Sequence, residues 1–259
     1  MTETAVDLNF VVGGAGPYVT MVHSLASDLT LFDAQTRLLE KRFTVLRLDI
    51  RGHGGSPAPP APYSMTGLAD DVQLLFDKLG IAHTAWVGVS LGGMIGLTHA
   101  TQRPGVITRL LLSDTTAGYP QAAHAGWRDR IGAVRTGGMP AVVQGTLARW
   151  FTPGFLSREP AQASHYADII SHTPAEGFVG CCEAIIGYDV SGALDKVRCP
   201  TLVMVGQEDQ ATPPAMAETL ANGIPGARLH VIPDAAHQAS VEQQSAFDAA
   251  LDAFLVEHT

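Results

Sequence analysis

Positive charge is scarce in this chain. Sixteen Lys and Arg stand against 25 Asp and Glu in 259 residues, a net charge of −9 with histidine neutral. A protein that grips a phosphate backbone needs a basic footprint, so nucleic-acid binding is excluded as a main role. The same deficit gives no long-range pull on an anionic small molecule, and any recognition of a carboxylate must come from local cations. Long apolar runs are missing too. A membrane-spanning helix needs roughly 18 or more consecutive apolar residues, and none occurs, so no membrane partner is expected. The opening run Met1 to Asp7 has neither the basic nor the apolar region of a secretory signal, which points to a cytoplasmic location. Only three cysteines are present. Cys181 and Cys182 are adjacent and Cys199 precedes a proline; this odd set without framework spacing reads as reduced, buried thiols. The histidines are scattered without metal-ligand spacing, so neither a metal nor an organic cofactor is expected.

Apolar residues make up 46% of the chain, enough for one large core in a single domain of ordinary α/β size. Strands are expected at Leu8–Val12, Tyr18–Val22, Phe43–Asp49, Thr84–Val87 and Arg109–Ser113, with helices near Phe32–Leu39, Met65–Leu79 and Leu91–Thr101. The strands are apolar without alternation, which implies a mostly parallel sheet covered by helices on both faces. The alternation stops near Asp114 and resumes at the strand Thr201–Gly206, followed by a short strand Arg228–Ile232. Between them lie helical patterns broken at Gly137-Gly138, Thr152-Pro153-Gly154 and Thr173-Pro174. The expected organisation is a core of residues 1–116 and 196–259 with a helical lid, residues 117–195, over the active site. No internal repeats or low-complexity segments are evident.

Gly88-Val89-Ser90-Leu91-Gly92 carries the chemistry. It is a Gly-x-Ser-x-Gly run placed where a strand ends and a helix begins. A serine held on such a turn has strained dihedrals, so the residues two before and two after it must lack side chains; Gly88 and Gly92 satisfy this. The hydroxyl then stands above the sheet with a helix N-terminus behind the developing oxyanion. A serine needs a base, and the base an orienting acid. Downstream, Asp209 and His237 each fall in a loop just after a strand, at the sheet edge where α/β folds place ligands. Ser90, His237 and Asp209 are the expected nucleophile, base and acid. Glu208, beside Asp209, and Asp114, after an adjacent strand, are the rival acids. His53, in the glycine-rich stretch Asp49 to Ser56, reads as part of a structural turn.

An oxyanion hole takes two backbone N–H groups. One is expected from Leu91, which follows the nucleophile, and the other from Leu25 in the loop after Tyr18–Val22. The lid carries Arg128, Arg130, Arg135 and Arg149, and a guanidinium can grip a carboxylate through two parallel hydrogen bonds. Arg130 and Arg149 are the preferred substrate-binding candidates, because Trp127, Trp150 and Phe151 beside them could wall an apolar pocket.

With these motifs the chain resembles the α/β-hydrolases over nearly its whole length, and within them the 3-oxoadipate enol-lactonases. The local matches are Val45 to Gly54, Arg149-Trp150-Phe151-Thr152, Cys182-Glu183-Ala184-Ile185, Trp127 with Arg130, and Arg135 leading to Gly138-Met139. It departs from that family at His23-Ser24-Leu25-Ala26, where Asn-Ser-Leu-Gly is usual, and at Leu91, where methionine is frequent. The resemblance implies a serine-dependent hydrolase of a small-molecule ester or lactone, acting through an acyl-enzyme. A carbon–carbon bond hydrolase or a broad carboxylesterase would use the same residues. A catalytically silent ligand-binding relative is the reading that an intact Ser, Asp and His opposes. The oligomeric state is open.

Overall fold

The computed structural model describes residues 4–256. Seven strands form one sheet in the order β1-β3-β2-β4-β5-β6-β7. They are β1 (Phe10–Gly14), β2 (Tyr18–Val22), β3 (Thr44–Leu48), β4 (Thr84–Val89), β5 (Ile107–Ser113), β6 (Thr201–Gly206) and β7 (Arg228–Ile232). All neighbours are parallel except β1, which runs antiparallel to β3 with Phe10 opposite Leu48. Every residue of β4 and β6 is buried, as unalternating apolar strands in a two-sided sheet must be. At the far edge, β7 buries only Ile232.

The helices of the alternating part are α1 (Asp33–Leu39), α2 (Met65–Leu79) and α3 (Leu91–Gln102). In α2, Leu68, Ala69, Val72, Leu75 and Phe76 lie on one buried face at helical spacing. Ser64 caps its start by accepting from Gly67 N, and Gly80 closes its end at φ 69°. In α3, every residue from Leu91 to Ala100 is buried.

After β5 the chain leaves the sheet for five helices: α4 (His124–Gly137), α5 (Val143–Trp150), α6 (Pro153–Arg158), α7 (Pro160–His172) and α8 (Ala175–Ile186). The middle three, α5, α6 and α7, meet at an aromatic cluster in which Phe151 stacks on Phe155 at 4.7 Å and Trp150 meets Tyr166 edge-on at 5.9 Å. An isolated antiparallel bridge, Gly118 to Asp189, closes the base of this insertion. The chain ends with α9 (Pro214–Gly223), α10 (Ala239–Glu242) and α11 (Gln244–Val256).

Three expectations shift. The first strand begins two residues later than predicted and is antiparallel. The helix expected near Phe32–Leu39 is preceded by a separate 3-10 turn, Leu29–Phe32, capped by Asp28, and itself begins at Asp33. Cys181 and Cys182 are buried free thiols as expected, whereas Cys199 is only half-buried. Among the described residues no helix is long and apolar enough to cross a membrane.

The sheet order positions the site. The chain winds outward from β2 to β3, then returns across β2 to β4 and winds the other way. That reversal is a topological switch point, where the carboxyl ends of two strands diverge and leave a crevice. His23 to Leu25 follow β2 and Ser90 follows β4, so both sit at that crevice.

Candidate active site

Ser90 occupies the turn between β4 and α3 at φ 54°, a left-handed conformation rare for a residue with a Cβ. The strain persists because the surroundings over-determine it. Ser90 N donates to Ser113 O at 2.9 Å, and Thr115 Oγ1 donates to Ser90 O at 2.7 Å. The flanking glycines are obligatory: a Cβ on Gly88 would run into the backbone of Gly92, and one on Gly92 into the carbonyl of Val22. The serine side chain is buried at the floor of a cleft rather than standing on open surface.

His237, in the loop after β7, places Nε2 2.9 Å from Ser90 Oγ and Nδ1 2.8 Å from Asp209 Oδ2. Asp209 lies after β6, in a turn that holds it from the other side. Its Oδ1 accepts from Ala211 N at 2.7 Å and Thr212 N at 3.0 Å, and its Oδ2 from Thr212 Oγ1 at 2.7 Å. Burial alone would raise the Asp209 pKa, but the charge and hydrogen bond of His237 and the Thr212 donors outweigh it and hold the carboxyl below its usual range. Burial likewise pushes His237 down, and Asp209 reverses the sign, so that the imidazole pKa is raised above 6.5. The three residues thus form one hydrogen-bonded chain able to draw a proton from Ser90 and stabilise the imidazolium that results.

The rival acids are placed elsewhere. Glu208 is exposed. Asp114 is fully buried near the same histidine but is engaged otherwise: Oδ1 accepts from Gly206 N at 2.8 Å and Oδ2 meets Ser113 Oγ at 2.6 Å. Burial and the charge of Asp209 push its pKa up to about 7, against the pull of His237 and its own hydrogen bonds.

Leu25 lines the cleft beside Ser90. Among the described residues neither Leu25 N nor Leu91 N has an internal acceptor, so both N–H groups are free to serve a ligand. The turn carrying Leu25 is held by two neutral imidazoles. Ala26, at φ 61°, donates its N–H to His53 Nε2 at 2.9 Å, and Ile50 N donates to His23 Nε2 at 2.9 Å. Both acceptor nitrogens must be unprotonated, and burial keeps them so: it lowers His23, and it takes His53 to about 3. His53 therefore does more than fill a glycine-rich turn.

The insertion brings Trp127 and Arg130 of α4, and Arg149 and Trp150 of α5, to the cleft. The Arg130 guanidinium lies 4.2 Å from the centre of the Trp127 ring. Its pKa is lowered first by burial and then by the charge of Arg149, and its Nε is buried without a partner among the described residues. Arg149 donates to Gly145 O at 2.6 Å. Neither guanidinium is paired with a carboxylate among the described residues. The other two arginines singled out in the insertion are not in the cleft: Arg135 pairs with Glu183 at 3.2 Å, and Arg128 borders a separate surface hollow. Sequence reasoning did not single out Tyr119, Thr146, Phe178 and Ala211, which complete the wall. Tyr119 packs edge-on against Trp127 at 5.5 Å.

Residues 17–243 match the model of the family described as alpha/beta hydrolase fold. The chain therefore belongs to the α/β-hydrolase-fold enzymes. Within them it is 32% identical over 257 residues to 3-oxoadipate enol-lactonase 2 of Acinetobacter baylyi, covering 98% of this chain and 95% of that one. The crystal structure of the enol-lactonase from Burkholderia xenovorans LB400 superposes with a TM-score of 0.94 at 36% identity, covering 98% of this chain and 99% of that one. A thermophilic esterase from Thermogutta terrifontis, solved with malate bound, superposes with a TM-score of 0.91 at 30% identity over 96% of this chain and 92% of that one.

Proposed function

We propose that the protein is a serine hydrolase of small lactones bearing a free carboxylate, of the enol-lactone type, with residues 117–195 acting as a lid. The observation that carries the substrate class is the pair of guanidiniums, Arg130 and Arg149, facing the same cleft as Ser90 with no carboxylate among the described residues paired to either. A partly buried cation beside a like charge is unfavourable alone, and a ligand carboxylate relieves it. Among the relatives, 3-oxoadipate enol-lactonase 2 carries a substrate name that fits: the enol-lactone of a dicarboxylic keto acid retains one free carboxylate. The malate bound to the thermophilic esterase is likewise a carboxylate ligand.

The proposed mechanism begins with Ser90 Oγ attacking the lactone carbonyl carbon while His237 Nε2 takes its proton. Asp209 fixes the imidazole tautomer and stabilises its charge, and the N–H groups of Leu25 and Leu91 hold the oxyanion. Collapse breaks the ring C–O bond, and His237 returns the proton to the departing enol oxygen. Water then attacks the acyl-enzyme carbonyl, giving its proton to His237; collapse breaks the acyl–Oγ bond as His237 returns that proton to Ser90 Oγ, and the released enol tautomerises to the keto acid. A broad carboxylesterase shares every step but has no use for the paired guanidiniums.

The test is a hydrolysis panel of carboxylate-bearing enol-lactones, saturated lactones, short p-nitrophenyl esters and a vinylogous diketone, with fluorophosphonate labelling of Ser90. The carboxylate-bearing enol-lactone should show the highest kcat/KM. A clear preference for neutral esters would overturn the substrate class while leaving the nucleophile in place, and preferential cleavage of the diketone would overturn the reaction.

A further inference from the structure

Two residues just beyond the base, Gln238 and Glu242, join parts of the chain that the proposed chemistry needs to keep in register. The Glu242 carboxylate is largely buried and lies between the helical insertion and the base loop. From the insertion it accepts Thr152 N at 3.2 Å and the Thr152 hydroxyl; from the base loop it accepts Ala236 N at 3.1 Å, one residue before His237. The Thr152 hydroxyl in turn accepts Phe155 N at 3.2 Å as the N-cap of α6, so the carboxylate is fixed to the point where α5 gives way to α6. Gln238 is fully buried and repeats the connection one residue after the base. Its backbone N–H reaches Trp150 O at 3.0 Å, and its side-chain amide reaches Ser24 Oγ at 2.7 Å in the turn that presents Leu25.

We infer that Glu242 and Gln238 are positioning residues which lock the end of α5, carrying Arg149 and Trp150, to the His237 loop and the Leu25 turn. The roof and the base then move as one body. A carboxylate shared by donors from two segments far apart in sequence, at Thr152 and Ala236, is a geometric tie between them, because lengthening either arm loses charge-assisted hydrogen bonds. The consequence reaches chemistry. Ser90 and His237 meet through one 2.9 Å hydrogen bond, and a displacement of about 1 Å at such a point can cost on the order of 10²-fold in rate. A residue serving only the fold would alter stability without altering that bond in the folded enzyme. The inference rests on Ser90 and His237 acting as nucleophile and base, but not on the substrate being a lactone.

The experiment measures the second-order rate of fluorophosphonate labelling at Ser90, which needs the base and no natural substrate. Its subjects are the full chain and the variants Glu242→Gln, Thr152→Val and the double variant. Glu242→Gln is isosteric and keeps one acceptor oxygen; Thr152→Val removes the hydroxyl 85 or more residues from the base in sequence and outside the cleft. In variants shown to be folded by circular dichroism, each single change should slow labelling by about tenfold. The double variant should be no more than about twofold slower than the worse single, because both break one tie. The pH at which labelling falls to half should also move from the wild-type value. Labelling within about twofold of wild type in both folded single variants, with an unmoved pH profile, overturns the inference. So does a double variant whose losses multiply. Absent labelling of the wild type itself would instead overturn the nucleophile assignment on which it rests.

Discussion

The floor and the roof of the cleft are finished to different degrees. On the floor, Asp209 accepts four hydrogen bonds, His237 uses both ring nitrogens, and Ser90 is pinned through its backbone on both sides. On the roof, Arg130 has a buried Nε without a partner among the described residues, and its charge lies close enough to that of Arg149 to lower its pKa. The contrast teaches a division of labour. Groups that must act on any bound ester are preorganised before substrate arrives, so that little rearrangement is needed at the moment of reaction. In the proposed function, the groups that choose the substrate are left with unmet electrostatic demand, which a ligand carboxylate satisfies.

The first way to break this comparison is at the floor. Ser90→Ala should lower kcat on the best substrate by on the order of 10⁴ to 10⁶ and leave the fold intact. Retention of more than about a tenth of wild-type activity would remove Ser90 as nucleophile. A smaller but still large loss, on the order of 10⁴, is expected for Asp209→Asn, because the amide favours the wrong imidazole tautomer. Asp114→Asn should change kcat by only a fewfold. A greater loss at Asp114 than at Asp209, measured side by side, would move the acid to the strand before the insertion.

Much of the floor was legible in the sequence because its signals are local. The spacing of Gly88, Ser90 and Gly92 and the strand-to-helix change around them lie within a dozen residues. Asp209 and His237 were readable because each follows a short apolar strand. The antiparallel run of β1 was not legible: a hydrophobic pattern reports which faces are buried, not which way a strand runs, and Val11 and Val12 are exposed. Gln238, Glu242 and Thr152 were missed because their meaning lies in contacts between segments far apart in sequence. The sorting of the arginines in the insertion did carry a readable signal. Trp127, Arg130, Ile131 and Val134 share one face of α4 at helical spacing, whereas Arg128 and Arg135 share another. Their helix phase alone separates the cleft arginine from the two outside it.

Protonation sharpens the comparison further. The mechanism needs a neutral His237, whose pKa is raised above 6.5 by Asp209 despite burial. As pH falls through that raised value the base is lost, so the acid limb of kcat/KM should lie above the pH of an ordinary imidazole. In Asp209→Asn, with the carboxylate charge gone, the limb of the residual activity should move toward lower pH. A limb that stays in place would mean that another group controls it.

A smaller effect is expected in stability. Asp114 has its folded pKa raised to about 7 from 3.8, so the folded state binds the extra proton and stability falls as pH rises between those values. Asparagine can keep the acceptor for Gly206 N and donate to Ser113 without ever ionising. Asp114→Asn should therefore raise Tm more at pH 8 than at pH 5, read by differential scanning calorimetry. An equal shift at both pH values would show that Asp114 is not a suppressed charge.

The division between a floor that reacts and a roof that selects is tested most directly by one ratio: kcat/KM for a carboxylate-bearing enol-lactone over that for its neutral methyl ester. The ratio is measured in wild type, Arg130→Ala and Arg149→Ala. A charge-assisted contact is worth roughly 1.5–3 kcal/mol, so each variant should lower the ratio by about tenfold or more. That loss should enter through KM for the carboxylate substrate, with the methyl ester nearly untouched. A ratio unchanged in both variants, or an equal loss on both substrates, would mean that the guanidiniums only support the insertion and that the roof does not select a carboxylate.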